Sequence, residues 1–329
     1  MTLDILKELG LLSEALGDTH YIPTGSYALN KVISGSYTKG VPTGYITEFY
    51  GHSSTAKTVF VTHILREAQK LGYFAALIDS ENTYSAEFAS VLGLDPEKLI
   101  YDNPETLEAC FDRMEEIVLT IRKSNKKTPI VIGYDSLPVS PIKKELEESY
   151  AKSADNNMLG AMRAAAMGKC LRKFSGLCKK HNVCLLVVNQ YRSKVGVMFG
   201  DPRTKGAGGQ SLEYYLGVDL ECFTSKSDGK IEDELGNHIG IKGEVRNKKN
   251  KVSIPFRECE FKLMYDEGLD PYYGLIPLFI KDKLVTKIGG WYTVVGTDIK
   301  FQKKGFQEKL LNGELGDLLD QLNNSPKRG

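Results

Sequence analysis

The sequence predicts an α/β domain built on a mainly parallel sheet with helices on its faces. Three observations carry that expectation. From about residue 21 to 265, short apolar runs alternate with longer amphipathic stretches. The apolar runs lack the in–out alternation of half-exposed strands, so both of their faces must be covered. Three of them also close on Asp79, Asp135 and Asn189, polar residues where an open α/β sheet binds its ligands.

The elements follow in order. Residues 3–17 have helical apolar spacing broken by two glycines and read as a short arm, 1–20. A new unit starts at Tyr21-Ile22-Pro23-Thr24-Gly25. Strands are expected at Tyr45–Tyr50, Phe74–Asp79, Ile130–Asp135 and Val183–Asn189, with helices at about 57–71, 85–92, 105–123 and 158–181. Beyond 216, the runs VDLECF, KGEVRNKKNKVSIPF and ECEFKLMY read as hairpins added to the edge of the sheet. From Gly268 a smaller α+β unit, 268–329, carries Gly289-Gly290-Trp291-Tyr292 and a closing helical stretch near 304–322, so the main body spans 21–267.

Composition narrows the class. At 329 residues, 41% hydrophobic and 26% charged, the chain can bury a core, which excludes disorder and a disulfide-stapled scaffold. No run approaches the roughly 18 apolar residues of a membrane span. Met1-Thr2-Leu3-Asp4 does not resemble a secretory leader, and the six cysteines lack CxxC spacing. The cytoplasm is expected. A net charge of +1, from 43 basic and 42 acidic residues, excludes DNA binding through bulk charge but leaves room for local basic strips.

The strongest motif is Gly51-His52-Ser53-Ser54-Thr55-Ala56-Lys57-Thr58, followed by Val59, placed after a strand and opening a helix. It fits the phosphate-binding pattern GxxxxGK[ST], with Ala56 in place of the second glycine. Backbone N–H groups and a helix N-terminus there form an anion cradle. Lys57 would neutralise β- and γ-phosphates and Thr58 would ligate Mg2+. The bland alternative is a Ser/Thr-rich turn with a snorkelling lysine. Asp135 can hold Mg2+ through water, and Glu81 can orient and deprotonate an attacking water; both could instead be helix caps. Gln190 can sense a γ-phosphate. The loop 191–210 concentrates Arg192, Lys194, Arg203 and Lys205 among glycines, with Met198 and Phe199 able to wedge or stack against bases. A lid over the nucleotide is the competing reading of that loop.

These residues resemble one family closely, the RecA-type homologous recombinases. NQYRSKVGVMFGDP with GGQSLEYY resembles the family's second DNA-binding loop, and YIPTGSYALNKVIS with GVPTGYITEFYG resembles its lead into the phosphate loop. Lys249-Asn250-Lys251, Pro255-Phe256, Glu260-Phe261 and GGWY resemble its closing part, so the likeness covers roughly residues 21–300.

The resemblance implies a RecA-like P-loop NTPase core and an ATP-dependent DNA strand-exchange protein. Its partners would be single- and double-stranded DNA and further copies of itself in a helical filament, with no membrane. It also implies roles. Gly51 to Val59 hold ATP, with Phe88 stacked on adenine; Glu81 and Lys57 serve catalysis; Asp135 and Thr58 serve Mg2+; Gln190 reports the γ-phosphate. Lys249 and Lys251 complete a neighbour's site, and Tyr214 couples subunits. Met158, Arg172, Arg192, Ser193, Lys194, Val195, Met198, Phe199, Arg203, Lys205, Gly208, Gly209 and Gln210 belong to DNA contact. The two mobile loops map to about 147–159 and 191–210.

The chain departs from the family pattern at Ala56, at His52 and Ser53 (usually proline and glutamate), in its short arm, and in a basic rather than acidic tail. Such a member would suit a bacterial cytoplasm, or a host's if encoded by a phage. Two other classes compete: a hydrolysis-impaired paralogue acting as a scaffold, and a ring-forming helicase motor on the same core. The glycine-rich basic loop and the GGWY unit favour the filament recombinase.

Overall fold

A computed structural model describes residues 19–149, 158–193, 203–207, 209–225, 229–315 and 318. Most of the expected arm, the centre of the first loop and much of the second therefore lie outside the described residues.

β1 (Tyr21–Ile22) and β2 (Val41–Pro42) pair antiparallel and bracket a helix, Tyr27–Ser34. The Ser26 hydroxyl accepts from Leu29 N–H to start that helix, and Gly35 ends it in the left-handed region at φ 83°. The main sheet holds β3 (Ile46–Gly51), β4 (Phe74–Asp79), β5 (Leu99–Asp102), β6 (Ile130–Asp135), β7 (Val183–Ser193), β8 (Arg203–Lys205), β9 (Leu216–Phe223), β10 (Lys230–Glu232), β11 (His238–Asn250), β12 (Glu258–Met264) and β13 (Gly268–Leu269). Its order is β13-β12-β11-β9-β3-β7-β6-β4-β5, with β10 on β11 and β8 on β7. The run from β9 to β5 is parallel.

Helices Lys57–Lys70, Ala86–Val91, Leu107–Ser124 and Leu159–Lys180 stand where the periodicity places them. Period-two alternation along β7 feeds two apolar layers. Cys184, Leu186 and Val188 join the layer of the Lys57–Lys70 helix, while Val183, Leu185 and Val187 join the layer of the other two long helices.

The hairpin expectation needs a correction. VDLECF lies in β9, which runs parallel to β3 inside the sheet; the antiparallel extension on that side begins only at β11, with β10, β12 and β13. β9 is buried over its first seven residues, as a strand with neighbours on both sides must be. β5 lies outside the expected strands, because a run of four residues, none of them fully buried, is too short to state its own burial.

The small unit contains helix Leu275–Lys281, the antiparallel β14 (Val285–Ile288), β15 (Trp291–Val294) and β16 (Lys300–Gln302), and helix Phe306–Leu311. Phe279 packs its ring 5.5 Å from Tyr37, joining this unit to the segment that follows the first helix. Among the described residues, no helix is long and apolar enough to cross a membrane.

His63 ties the helix after the phosphate loop to β13: its buried Nε2 accepts from Leu269 N–H at 3.3 Å. Gly268, at φ +86°, lies so close that a Cβ there would stand 2.6 Å from the same nitrogen. Burial, then Arg66 and Lys70, push the His63 pKa down to about 3. A group depressed in the folded state contributes stability above its unfolded pKa of about 6.5, and that stability is lost as pH falls toward 3. At about 1.4 kcal/mol per unit, wild type should lose about 2–3 kcal/mol more between pH 6.5 and 4.5 than His63→Gln, whose amide oxygen can still accept. Urea unfolding at both pH values measures this, and equal losses would refute it.

Candidate functional site

The parallel strands end at a common edge. Gly51 is level with Gln190, and Asp79 is level with Asp135. This register gathers the phosphate loop, both acid-bearing strand ends and Gln190, although they are distant in sequence.

Gly51 lets β3 pass close to β9: a Cβ there would lie 2.2 Å from the Cys222 carbonyl oxygen. The loop then turns through Ser54 (φ 60°) and Ala56 (φ 64°), both left-handed, before Lys57 opens the helix. Ala56 therefore adopts the backbone angle that glycine takes more easily, at a cost of about 1–2 kcal/mol. Part of that cost is offset by the lower unfolded-state entropy of alanine. Ala56→Gly should stabilise the fold by about 0.5–1 kcal/mol in urea unfolding and raise ATP turnover. A drop in both would show that the loop has adapted to the methyl group.

Lys57 is 6% exposed. Its Nζ donates to the loop's own His52 carbonyl at 2.5 Å and to Thr55 Oγ1 at 3.3 Å. Burial holds its pKa below that of an ordinary lysine, against the pull of Cys222, Asp135 and Glu81. Thr58 Oγ1 donates to Asp135 Oδ2 at 2.5 Å. Burial raises the Asp135 pKa to about 6, opposed by the Thr58 hydroxyl and reinforced by Glu81 and Asp79. Such a carboxylate, paired with a hydroxyl and short of cations, fits a hard divalent ion. Among the described residues no group of three or more His, Cys, Asp or Glu could hold a metal. The pair therefore suits Mg2+, which keeps waters and takes phosphate oxygens.

Glu81 is the junction of the site. Its Oε1 accepts from Ser136 Oγ at 2.5 Å and from Gln190 Nε2 at 3.3 Å. Ser80 Oγ donates to the Ser136 carbonyl at 2.9 Å and holds that strand end in place. Asp79 instead accepts from the N–H groups of Glu81, Thr83 and Tyr84, so it shapes the turn that presents Glu81. Phe88 stands 40% exposed on its short helix.

The lysines assigned in trans lie elsewhere. Lys249 pairs with Asp219, which is level with Glu48, and Lys251 N–H bonds to the Gly217 carbonyl. Lys249 therefore sits about 10 Å and Lys251 about 16 Å back along the strands from Gly51, both two strands, about 10 Å, to the side. Lys249 Nζ donates to the Glu213 carbonyl, and Lys251 Nζ to the Tyr214 carbonyl at 3.0 Å. Both cations thus rest at the end of helix Gly209–Tyr215, a favourable place for positive charge. Tyr214 beside them is 73% exposed.

Of the residues assigned to DNA, Lys194, Val195, Met198, Phe199 and Gly208 lie outside the described residues. Arg192, Ser193, Arg203, Gly209 and Gln210 are described by backbone alone. Met158 is 69% exposed at the start of helix Leu159–Lys180, and Arg172 Nε donates to Tyr215 OH at 3.1 Å. Lys205 departs from the DNA role assigned to it. Its side chain is 11% exposed, and its Nζ binds Glu48 Oε2 at 2.5 Å and Asp219 Oδ2 at 2.7 Å. Two carboxylates buried in adjacent strands demand a cation, and this one supplies it. Burial pushes the Glu48 pKa up, and the Lys205 ammonium opposes that shift and favours the carboxylate. Sequence reasoning missed Glu48 and Asp219, although an acid inside an apolar strand, as in TEFY and VDLEC, was the available signal.

The family model described as RecA N-terminal domain matches residues 7–270. A protein of Geobacter sulfurreducens named Protein RecA is 35% identical over 286 residues, 87% of this chain and 79% of its own length. Proteins of the same name from Heliobacterium modesticaldum and Cytophaga hutchinsonii are 35% and 33% identical, each over 88% of this chain and 79% and 76% of their own lengths.

Proposed function

The chain belongs to the RecA family, and from that premise we infer that it is a DNA recombinase with DNA-dependent ATPase activity. It coats single-stranded DNA as a helical filament, pairs it with homologous duplex and exchanges strands. The observation that carries this reading is the Gln190–Glu81 hydrogen bond. It joins the carboxylate placed to activate water to the strand that continues into the glycine-rich basic loop.

The residues divide the work as follows. Lys57 exchanges its carbonyl partner for phosphate oxygens and supplies a compact positive charge. Thr58 and Asp135 would hold Mg2+, which when bound neutralises charge on the β- and γ-phosphates. Glu81 orients the attacking water and takes its proton, while Gln190 senses the terminal phosphate through the same carboxylate. Phe88, exposed on its helix, offers a ring to the adenine.

Lys249 and Lys251 cannot reach the phosphate loop of their own chain across that span, which supports their acting on the ATP of an adjacent subunit. Tyr214, exposed beside them, belongs to the same contact between copies. ATP held there favours the filament with high DNA affinity, and hydrolysis releases it. We place this activity in the cytoplasm, with DNA and further copies of the chain as partners.

The decisive experiment is strand exchange between a labelled single strand and homologous duplex, with ATP and with a slowly hydrolysed analogue. Exchange under both conditions supports the reading. ATP hydrolysis without any exchange, in filaments visible by negative-stain microscopy, would reject it.

A further inference from the structure

The two feet of the 191–205 loop are seated on the strand that leads into the phosphate loop. Tyr191 and Lys205 lie opposite each other in the β7–β8 pairing. The Tyr191 ring stands 5.1 Å from the His52 ring and 5.4 Å, edge-on, from Tyr50, and its hydroxyl donates to Glu221 Oε1 at 2.6 Å. Lys205 Nζ lies 4.2 Å from the centre of the Tyr50 ring while it binds Glu48 and Asp219. Tyr50 is thus held by both feet, one residue before Gly51.

The two feet differ in what they touch. Lys205 grips the rigid, buried part of β3, through Glu48 at 0% exposure. Tyr191 reaches further along, to His52 inside the phosphate cradle itself. A change in the cradle backbone at 52 therefore shifts Tyr191 relative to Lys205.

We propose that Tyr191 is a positioning residue that carries the state of the phosphate loop to the DNA loop through its ring contact with His52, in parallel with Gln190. The Lys205 clamp holds the opposite foot still. This rests on the recombinase reading above. The contact needs an aromatic ring at 191 and a residue of matching size at 52; Tyr191 directly follows Gln190, and His52 lies within the phosphate loop.

The test is a double-mutant cycle read as the ratio of single-strand affinity with a slowly hydrolysed ATP analogue to affinity without nucleotide. Tyr191→Ala should reduce that ratio about fivefold or more, the lower end of typical coupling, while its affinity for the analogue stays within about twofold. His52→Ala should reduce the ratio as well, but should add nothing in the Tyr191→Ala background. Tyr191→Phe, which keeps the ring and loses the bond to Glu221, should retain the wild-type ratio. Losses that multiply in the double variant would overturn the proposal, as would a Tyr191→Phe variant as impaired as Tyr191→Ala. A wild-type chain whose DNA affinity ignores the analogue would overturn the recombinase reading, and this inference with it.

Discussion

Replacing Lys57 with alanine should weaken ATP binding by about 100-fold or more and remove the ATP-dependent part of DNA affinity, with the fold intact. The magnitude follows from two charge-assisted contacts to phosphate, at about 1.5–3 kcal/mol each. The intact fold follows from the present environment of the side chain. Lys57 is buried, bonds only neutral oxygens of the loop, and has its pKa lowered by desolvation. Removing it relieves a buried charge without stranding a carboxylate partner, so the melting temperature should hold or rise. Titration with a fluorescent ATP analogue, alongside single-strand binding with and without ATP, measures both effects. Unchanged nucleotide affinity would remove the phosphate-loop assignment.

Lys205→Met should destabilise the fold by about 3–5 kcal/mol, the usual loss when one partner of a buried ion pair is removed. Glu48 is fully buried, Asp219 is 5% exposed, and the Asp219 Oδ1 has no hydrogen-bond partner among the described residues even with the lysine present. Without the ammonium, both carboxylates face each other across adjacent strands. Adding Glu48→Gln and Asp219→Asn to Lys205→Met should recover most of the loss. A lysine devoted to DNA behaves differently: its removal leaves urea unfolding unchanged and reduces the slope of log affinity against log salt by about 0.7. The two outcomes separate the buried clamp from the DNA contact first assigned to this residue.

The same contrast marks how far sequence reached. The strands that carry Gly51, Asp79, Asp135 and Gln190 were legible because a fully apolar run states its own burial, although β7 runs on past the expected end at Asn189 to Ser193. In a parallel sheet every such run also delivers its last residue to one edge. That rule gathers these residues at one edge without knowledge of strand order, while the contacts of Thr58 with Asp135 and of Glu81 with Gln190 come from the structure. The parallel placement of β9 was not legible. VDLECF is equally apolar as an edge hairpin or an interior strand, and only its pairing with β3 distinguishes them.

The sequence by itself determined the α/β class, the phosphate cradle, the carboxylates around it and the family to which the chain belongs. These depend on local pattern: which residues must be buried, with what period, and what closes each run. Tertiary structure alone decided that Lys205 neutralises Glu48 and Asp219, that Lys249 and Lys251 sit away from their own phosphate loop, and that Tyr191 rests on His52. Each of those facts depends on which strands become neighbours and in what register. That choice follows from the free energy of the whole sheet, where long-range pairing and the desolvation of two buried acids outweigh any preference written in a single segment.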